Sequence, residues 1–254
     1  MKVQYCSDLH LEFGYNKAFL QAHPLKAEGE VLLLAGDIIP FAAMDRANWF
    51  FDFVSDQFET TYWVPGNHEY YRSTISGDLT LNKKIRENVF LVNNHALIHQ
   101  NVKFIFSTLW SEISPAYEQE IQQSMSDFSL IKFGQERFTS FRFNEAHHAC
   151  RKFVSGELEQ KETEKVVVVT HHVPTLMNYP PKYRGSSLNE AFAVELYDLI
   201  EHSNAEYWIY GHHHQSVGDF EIGNTILTTN QLGYVEYNEH QDFSAGRILE
   251  LWIV

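Results

Sequence analysis

Cysteine, basic residues and long apolar runs are all scarce in this chain of 254 residues. The two cysteines, Cys6 and Cys150, are too few for a disulfide framework. No stretch approaches the roughly 18 consecutive apolar residues of a membrane span, and no signal peptide is recognisable after Met1. We therefore expect a cytoplasmic protein that has no membrane partner.

Acidic residues outnumber basic ones by 33 to 19, which gives a formal net charge of −14. This excess argues against tight non-specific binding to nucleic acid, so a nucleic-acid polymer is not expected as a partner. A small anionic substrate would also be repelled unless bound divalent cations supplied local positive charge. The 14 histidines are of interest for this reason, because several are grouped, at His147–His148, His171–His172 and His212–His214.

The chain contains no internal repeat, low-complexity tract or Ser/Gly-rich linker, and we predict a single domain over residues 1–254. Short apolar runs bounded by turn-forming residues predict strands. These are Val3–Cys6, Val31–Ala35, Thr61–Val64, Val89–Val92, Val102–Ser107, Val166–Thr170, Tyr207–Tyr210, Val217–Glu221, Thr225–Leu227 and Arg247–Ile253. Helices are predicted at Ala42–Gln57, Asn144–Gln160 and Leu188–His202. This mixture predicts an α/β protein with two stacked sheets and helices outside them.

Five polar clusters begin where predicted strands stop. In order they are Ser7-Asp8-Leu9-His10, Gly36-Asp37, Gly66-Asn67-His68-Glu69, His171-His172-Val173-Pro174 and Gly211-His212-His213-His214. Asp-x-His or Gly-Asp alone is common by chance, and Gly-Asp after a strand is usually only a turn. The ordered set of five is much more specific. Because ligands gather at strand ends in α/β folds, we expect the clusters to meet at one site.

The clusters offer carboxylate, amide and imidazole groups but no thiolate. The candidate metal ligands are Asp8, His10, Asp37, Asn67, His171, His212 and His214. Mixed nitrogen and oxygen ligands suit Mn, Fe, Zn, Co or Ni better than a cysteine-bound structural zinc. Seven ligands are too many for one tetrahedral ion and fit two divalent ions that keep open positions. Asp37, at a tight glycine turn, is the expected bridge between them.

The ordered set resembles the calcineurin-like metallophosphoesterase superfamily over most of the chain, from Asp8 to His214. The resemblance implies a four-layer fold, with helices flanking two packed mixed sheets. It implies an enzyme that hydrolyses a phosphate ester with a water molecule activated at a dinuclear metal centre. Carried over residue by residue, it assigns Asp8, His10 and His214 to one ion, Asn67, His171 and His212 to the other, and Asp37 to both. It also makes His68 the residue that contacts phosphate and protonates the leaving oxygen.

Several residues near these motifs have competing interpretations. His171 directly follows Thr170 and is preferred as the ligand, so His172 is expected beside the site. His213 is expected to point away from it. His147 and His148 lie on a predicted helix, where exposed or hydrogen-bonded histidine is the ordinary case. Cys6 is expected to fill the core, and Trp110 is expected either to border the site or to be plain core.

The substrate is the least defined prediction. Protein Ser/Thr phosphatases of the superfamily carry Gly-Asp-x-Val-Asp-Arg-Gly and an Arg before Gly-Asn-His-Glu, whereas this chain has Gly36-Asp37-Ile38-Ile39-Pro40 and Val64-Pro65-Gly66. It is more similar to the small bacterial phosphodiesterase and phosphohydrolase branches. We expect a small phosphodiester substrate; the alternatives are a phosphomonoesterase, a nuclease or a noncatalytic scaffold. The loop Pro174–Ser187, with Asn178, Tyr179, Lys182, Tyr183 and Arg184, either contacts substrate or is inert surface.

Overall fold

The computed structural model describes residues 1–160 and 165–251, which form two large β-sheets and their flanking helices. The strands are β1 (Lys2–Cys6), β2 (Val31–Ala35), β3 (Thr60–Val64), β4 (Thr74–Ile75), β5 (Leu81–Arg86), β6 (Val89–Asn93), β7 (His95–His99), β8 (Val102–Ser107), β9 (Lys132–Phe133), β10 (Glu136–Arg137), β11 (Lys165–Thr170), β12 (Tyr207–Tyr210), β13 (Phe220–Ile222), β14 (Thr225–Thr229) and β15 (Ile248–Glu250). The helices are α1 (Gly14–Ala22), α2 (Asn48–Gln57), α3 (Glu118–Ser124), α4 (Asp127–Leu130), α5 (Ser140–Glu159) and α6 (Tyr197–Glu201).

The two large sheets have the same plan. The first has the order β15-β1-β2-β3-β6-β5 and the second β13-β14-β12-β11-β8-β7. In each sheet the four inner strands are parallel and both edge strands are antiparallel to their neighbours. The carboxyl ends of four parallel strands therefore lie along one edge of each sheet. A small third sheet has the order β10-β9-β4.

The inner strands are apolar on both faces because both faces are covered. In β2, Val31, Leu33 and Ala35 enter the core between the sheets, whereas Leu32 and Leu34 face the other way, toward the helix residues Leu20 of α1 and Phe51 of α2. The outer face of the second sheet packs in the same manner on α5 and α6. The predicted α/β class and its helix–sheet–sheet–helix layering are confirmed.

The first strand is braced by the far end of the chain. β1 lies between β2 and β15, and the turn that follows it is bound by residues 230–233. Ser7 N–H donates to Asn230 O, Leu232 N–H donates to Ser7 O, and Gly233 N–H donates to Asp8 O. The position of the first polar cluster thus depends on residues more than two hundred positions away.

One predicted helix is wrong, and others differ in extent. Leu188–His202 is not a single helix but a 3₁₀ turn, Ser187–Ala191, an extended piece, and then α6. The interruption arises because Val194 N–H donates to Val173 O, so this backbone pairs with the loop after β11. The predicted Ala42–Gln57 helix is a 3₁₀ turn, Phe41–Ala47, followed by α2.

The strand predictions hold for the inner strands and fail at the edges. Edge strands β5 and β7 were not predicted, because Leu-Asn-Lys-Lys-Ile-Arg contains no apolar run and His-Ala-Leu-Ile-His contains only a short one between two histidines. The predicted strand Val217–Glu221 is shifted to Phe220–Ile222, and Arg247–Ile253 is shortened to Ile248–Glu250. Residues 252 and 253 of that last prediction lie outside the described residues.

Candidate active site

The five polar clusters meet where the carboxyl ends of the inner strands of both sheets come together. The turns after β1, β2 and β3 supply residues from the first sheet, and the turns after β11 and β12 supply residues from the second. All seven predicted ligands, Asp8, His10, Asp37, Asn67, His171, His212 and His214, are buried or nearly so. The site therefore lies across the crevice between the two sheets, as the strand-end argument predicted.

Five of these seven residues have left-handed backbone conformations. The φ angles are 56° at Asp8, 46° at His10, 56° at Asp37, 80° at His212 and 53° at His214. Such a conformation costs a non-glycine residue about 1–3 kcal/mol, and it persists only where the surrounding structure requires it. Because five such conformations occur at these strand ends, the fold gives up part of its free energy of unfolding to direct these side chains into the crevice.

Two motif glycines are required because side chains from other strands lie directly against their Cα atoms. A Cβ on Gly66 would lie 2.6 Å from His171 Nε2, and a Cβ on Gly211 would lie 2.6 Å from Asp8 Oδ2. Both distances are shorter than any real carbon contact. The glycine that precedes Asn67 and the one that precedes His212 therefore leave room for ligands supplied by other strands.

The first cluster of potential ligands contains Asp8, His10, Asp37 and His214, which offer atoms within 4.8 Å of one another. His10 Nε2 lies 2.9 Å from His214 Nε2. Asp8 Oδ1 lies 3.5 Å from His214 Nε2, and Asp37 Oδ2 lies 3.8 Å from His10 Nε2. These four side chains surround a space that could hold one cation.

The second cluster contains Asp37 again, with His171 and His212. His171 Nε2 lies 3.1 Å from His212 Nδ1, 3.4 Å from Asp37 Oδ2 and 3.3 Å from Asn67 Oδ1. Two nitrogens that bind one ion in adjacent positions at about 2.1 Å are themselves about 3 Å apart. The nitrogen–nitrogen separations in both clusters match that spacing.

Asp37 is the side chain common to both clusters. Its Oδ1 accepts a hydrogen bond from the backbone N–H of His68 at 2.9 Å. Its Oδ2 is buried and accepts no hydrogen bond from any described residue. Burial opposes ionisation, but the neighbouring His171 and His68 hold the pKa of Asp37 well below its usual range. A buried, charged oxygen without a hydrogen-bond donor is costly unless a cation satisfies it, so the residues present fit a metal pair.

The outer nitrogens of the histidine rings determine which nitrogen can bind a metal. His171 Nδ1 lies 2.9 Å from Ala35 O, His214 Nδ1 lies 2.9 Å from Glu239 Oε2, and His212 Nε2 lies 3.3 Å from Ala191 O. These oxygens can only accept, so each outer nitrogen carries the hydrogen. The inner nitrogens then present lone pairs to the clusters, which is the arrangement of metal-binding histidines.

Known proteins with this arrangement identify the family. Residues 1–216 match the family model for calcineurin-like phosphoesterases. The chain belongs to this family. Its members use two divalent metal ions, and the histidine–aspartate clusters described above can hold them. The chain is therefore a metallophosphoesterase, a hydrolase that acts on phosphate ester bonds.

Three similar proteins extend the comparison. The uncharacterized protein L509 of Acanthamoeba polyphaga mimivirus is 31% identical over 258 residues, which cover 91% of each chain. The crystal structure of phosphopantetheinyl hydrolase from Mycobacterium tuberculosis superposes with a TM-score of 0.71 at 17% identity, covering 98% of this chain and 95% of that one. A dimetal phosphatase from Danio rerio is more distant, with a TM-score of 0.48 at 12% identity, covering 91% of this chain and 87% of that one. No helix within residues 1–160 and 165–251 is long and apolar enough to cross a membrane.

Glu69 fixes the backbone of this phosphoesterase behind the clusters. It is fully buried, and its carboxylate accepts four hydrogen bonds. Oε2 accepts from Asp37 N–H at 2.9 Å and from Gly66 N–H at 2.6 Å, while Oε1 accepts from Ile38 N–H at 2.7 Å and from Trp63 Nε1–H at 3.1 Å. One side chain thus fastens the second motif to the third.

Replacing Glu69 by glutamine is expected to lower the free energy of unfolding by about 3 kcal/mol. Whichever oxygen becomes the amide nitrogen, two N–H donors lose their acceptor and face another N–H group. Urea unfolding in the presence of EDTA measures this effect without contribution from bound metal. The exposed Glu221 provides the matched control as Glu221→Gln. An unchanged unfolding midpoint in Glu69→Gln would contradict the structural role of the carboxylate.

His68 lies against the clusters and borders an open cavity. Its Nδ1 is 2.9 Å from Glu12 Oε1, and its ring stacks on Tyr71 with centroids 4.1 Å apart. Burial alone would lower the pKa of His68, but the charges of Asp37 and Glu12 raise it to about 9. Glu12 follows the first motif and was not predicted as a site residue. In the structure its carboxylate is the hydrogen-bond partner of His68.

Asn67 is oriented by a hydrogen-bonded chain outside the motifs. Its Nδ2 donates to Tyr71 Oη at 3.4 Å, and Tyr71 Oη donates to Asp127 Oδ2 at 3.3 Å. Asp127 is a buried residue of α4. These contacts take up the amide nitrogen, so that Oδ1 faces His171. The sequence held no signal for Asp127 or for Glu239, because neither belongs to a motif.

The remaining histidines of this phosphoesterase lie outside the clusters. His172 packs on His212 with ring centroids 4.2 Å apart, and its Nδ1 faces Thr108 O at 3.3 Å. His213 is turned toward Gln231, whose Nε2 lies 3.1 Å from its Nδ1; burial lowers the pKa of this ring to about 3. His147 is buried with its Nδ1 3.2 Å from the Leu109 carbonyl, and His148 is exposed.

A cavity of about 750 Å³ opens from the clusters. Three loop residues, Tyr179, Tyr183 and Ser186, line it, but Lys182 and Arg184 do not. Trp110 is fully buried among Phe138 and Phe143 and is core rather than a wall of the site. The loop Pro174–Ser187 therefore borders the cavity with aromatic rings and not with its two basic side chains.

Proposed function

We propose that this enzyme hydrolyses small phosphodiesters, with Mn²⁺ as a working ion. The proposed ligands are Asp8, His10 and His214 for one ion and Asn67, His171 and His212 for the other, with Asp37 shared. The observation that carries this proposal is the buried Oδ2 of Asp37, which accepts no hydrogen bond from a described residue and faces a ring nitrogen of each cluster. We further propose that residues 1–254 act as a single domain and that the enzyme is cytoplasmic.

The chain's own residues divide the remaining work. A pair of divalent cations supplies such a site with a deprotonated water for attack and with charge to stabilise the phosphoryl oxygens. His68 Nδ1–H is donated to Glu12, which leaves Nε2 of the same ring to give a proton to the leaving oxygen. The charges of Asp37 and Glu12 raise the pKa of His68 to about 9, which favours the protonated ring. Glu12 also fixes the orientation of the ring.

Charge near the clusters supports a diester. A phosphomonoester is largely a dianion at neutral pH, whereas a diester carries one negative charge. A diester therefore needs less positive charge from the site in order to bind. The five polar clusters themselves contain no arginine or lysine, and the two arginines of the cavity wall, Arg46 and Arg72, belong to no motif. The cavity also has an apolar wall, formed by Tyr179, Tyr183, Leu188 and Phe192, that suits the second organic arm of a diester.

The diester preference is tested by comparing bis(p-nitrophenyl) phosphate with p-nitrophenyl phosphate in the presence of Mn²⁺. We expect kcat/KM to be at least about tenfold higher for the diester, which corresponds to about 1.4 kcal/mol of differential stabilisation. The leaving group is the same in both substrates, so the ratio reports on charge and on the second arm. A higher kcat/KM for the monoester would contradict the proposal. Phosphopantetheine-containing phosphates should be assayed as well, because the structurally similar protein from Mycobacterium tuberculosis is a phosphopantetheinyl hydrolase.

A further inference from the structure

Two arginines that belong to no motif line the cavity. Arg46 lies on the 3₁₀ turn Phe41–Ala47, and Arg72 follows the 3₁₀ turn His68–Tyr70. Both side chains are exposed, and neither makes a hydrogen bond, ion pair or ring contact with a described residue. In a chain with a net charge of −14, two unpaired guanidinium groups at one cavity are a notable feature.

The two arginines come from neighbouring parts of the wall. The 3₁₀ turn that carries Arg46 packs on the turn that precedes Arg72 through Phe41 and Tyr70, whose rings meet edge to face with centroids 5.3 Å apart. Arg72 has a left-handed φ of 59°, and its backbone N–H donates to Leu130 O. The position of Arg72 is thus fixed between the third motif and the α3–α4 segment, which contributes Ser124 and Ser126 to the same wall.

The acidic side chains of the wall are already engaged. Glu12 faces the rings of His10 and His68, and Glu239 faces His214 Nδ1. Asp37 is shared by the two clusters. No other carboxylate among the described residues lines the cavity. The arginines are therefore the charges of this wall that have no partner within the described protein, and they are available to a ligand.

We propose that Arg46 and Arg72 form a subsite for a second anionic group of the substrate, a phosphate or carboxylate carried on an organic arm. This inference rests on the proposed function, because the metal clusters must hold the ester that is cut. The planar guanidinium groups suit phosphate and carboxylate, each of which accepts paired N–H donors. The substrate class is then a phosphodiester with a further anion, rather than a neutral-armed diester.

Binding measured by calorimetry tests the subsite directly. The Mn²⁺-loaded protein is titrated with thymidine 5′-phosphate and with thymidine 3′,5′-bisphosphate, which differ by one phosphate. We expect the bisphosphate to bind at least about tenfold more tightly, as one or two charge-assisted contacts allow. The double variant Arg46→Gln/Arg72→Gln should bring the ratio of the two dissociation constants to about one. Equal affinities in the unaltered protein, or a preference that survives in the double variant, would overturn the proposal.

Matched variants and a matched pair of esters separate this inference from the proposed function. Arg151→Gln, an exposed substitution on α5, should keep the affinity ratio. Loss of the ratio in Arg184→Gln alone would assign the anion to the loop and contradict the subsite. Thymidine 5′-(p-nitrophenyl phosphate), with and without a 3′-phosphate, tests turnover: we expect the lower KM for the phosphorylated ester. If neither ester is cleaved, the proposed function fails, while the affinity ratio still decides whether the arginines bind the second anion.

Discussion

Replacing Asp37 by asparagine should weaken both cation sites at once and abolish most of the phosphoesterase activity. The buried Oδ2 faces a histidine of each cluster, and the amide removes the negative charge that both ions would share. Loss of an outer partner of a ligand already costs about 10–100-fold in metal affinity, so loss of the shared ligand should cost more than about 100-fold at each site. Metal content after dialysis, measured by plasma mass spectrometry, gives the result without relying on activity.

The exposed Asp56 on α2 provides the control for that experiment, since Asp56→Asn makes the same chemical change far from the clusters. Two ions per chain, bound with unaltered affinity, in Asp37→Asn would refute the shared role. Loss of one ion with full retention of the other would assign Asp37 to a single site.

The change His68→Ala should lower kcat by about 10²–10⁴ while both metals remain bound. The ring borders the cavity and donates through Nδ1 to Glu12, so its proposed task is at the leaving oxygen. The loss should be large for a methyl or other alkyl leaving group and small for p-nitrophenolate, which leaves without protonation. Rates for a series of diesters that differ in leaving-group pKa measure this dependence.

A matched control for the second experiment is His148→Ala, an exposed histidine on α5. An equal loss for all leaving groups would show that His68 positions phosphate and does not deliver a proton. Loss of metal from the variant would instead indicate that the ring supports the clusters.

The sequence was enough to predict that the seven proposed ligands lie close together, but not which residues surround them. The residues of the two clusters each follow a strand, and parallel inner strands bring their ends to one edge, so order along the chain was enough to bring them together. Glu12, Asp127 and Glu239 complete the hydrogen bonds of this site from segments that carry no motif. Their positions depend on tertiary packing, which no local pattern encodes.

The same distinction applies to the fold. Buried strands such as β2 and β11 are continuous apolar runs, which local sequence reveals. Edge strand β5 is mostly polar because one side of it meets solvent, and its pairing with β6 is decided by register rather than by composition. The predicted helix at Leu188–His202 failed because its backbone found hydrogen-bond partners in the loop after β11.

The bracing of β1 by residues 230–233 and by β15 has a consequence for synthesis of the chain. The strand that precedes Asp8 and His10 is synthesised more than two hundred residues before two of the segments that bind it, residues 230–233 and β15. All seven proposed ligands have been synthesised once the chain reaches residue 214. At that stage residues 230–233 and β15, which hold β1 and the turn at Asp8 in place, have not yet been made. Once residue 214 has been synthesised, the nascent chain therefore carries all seven proposed ligands before the turn that positions Asp8 is held in place.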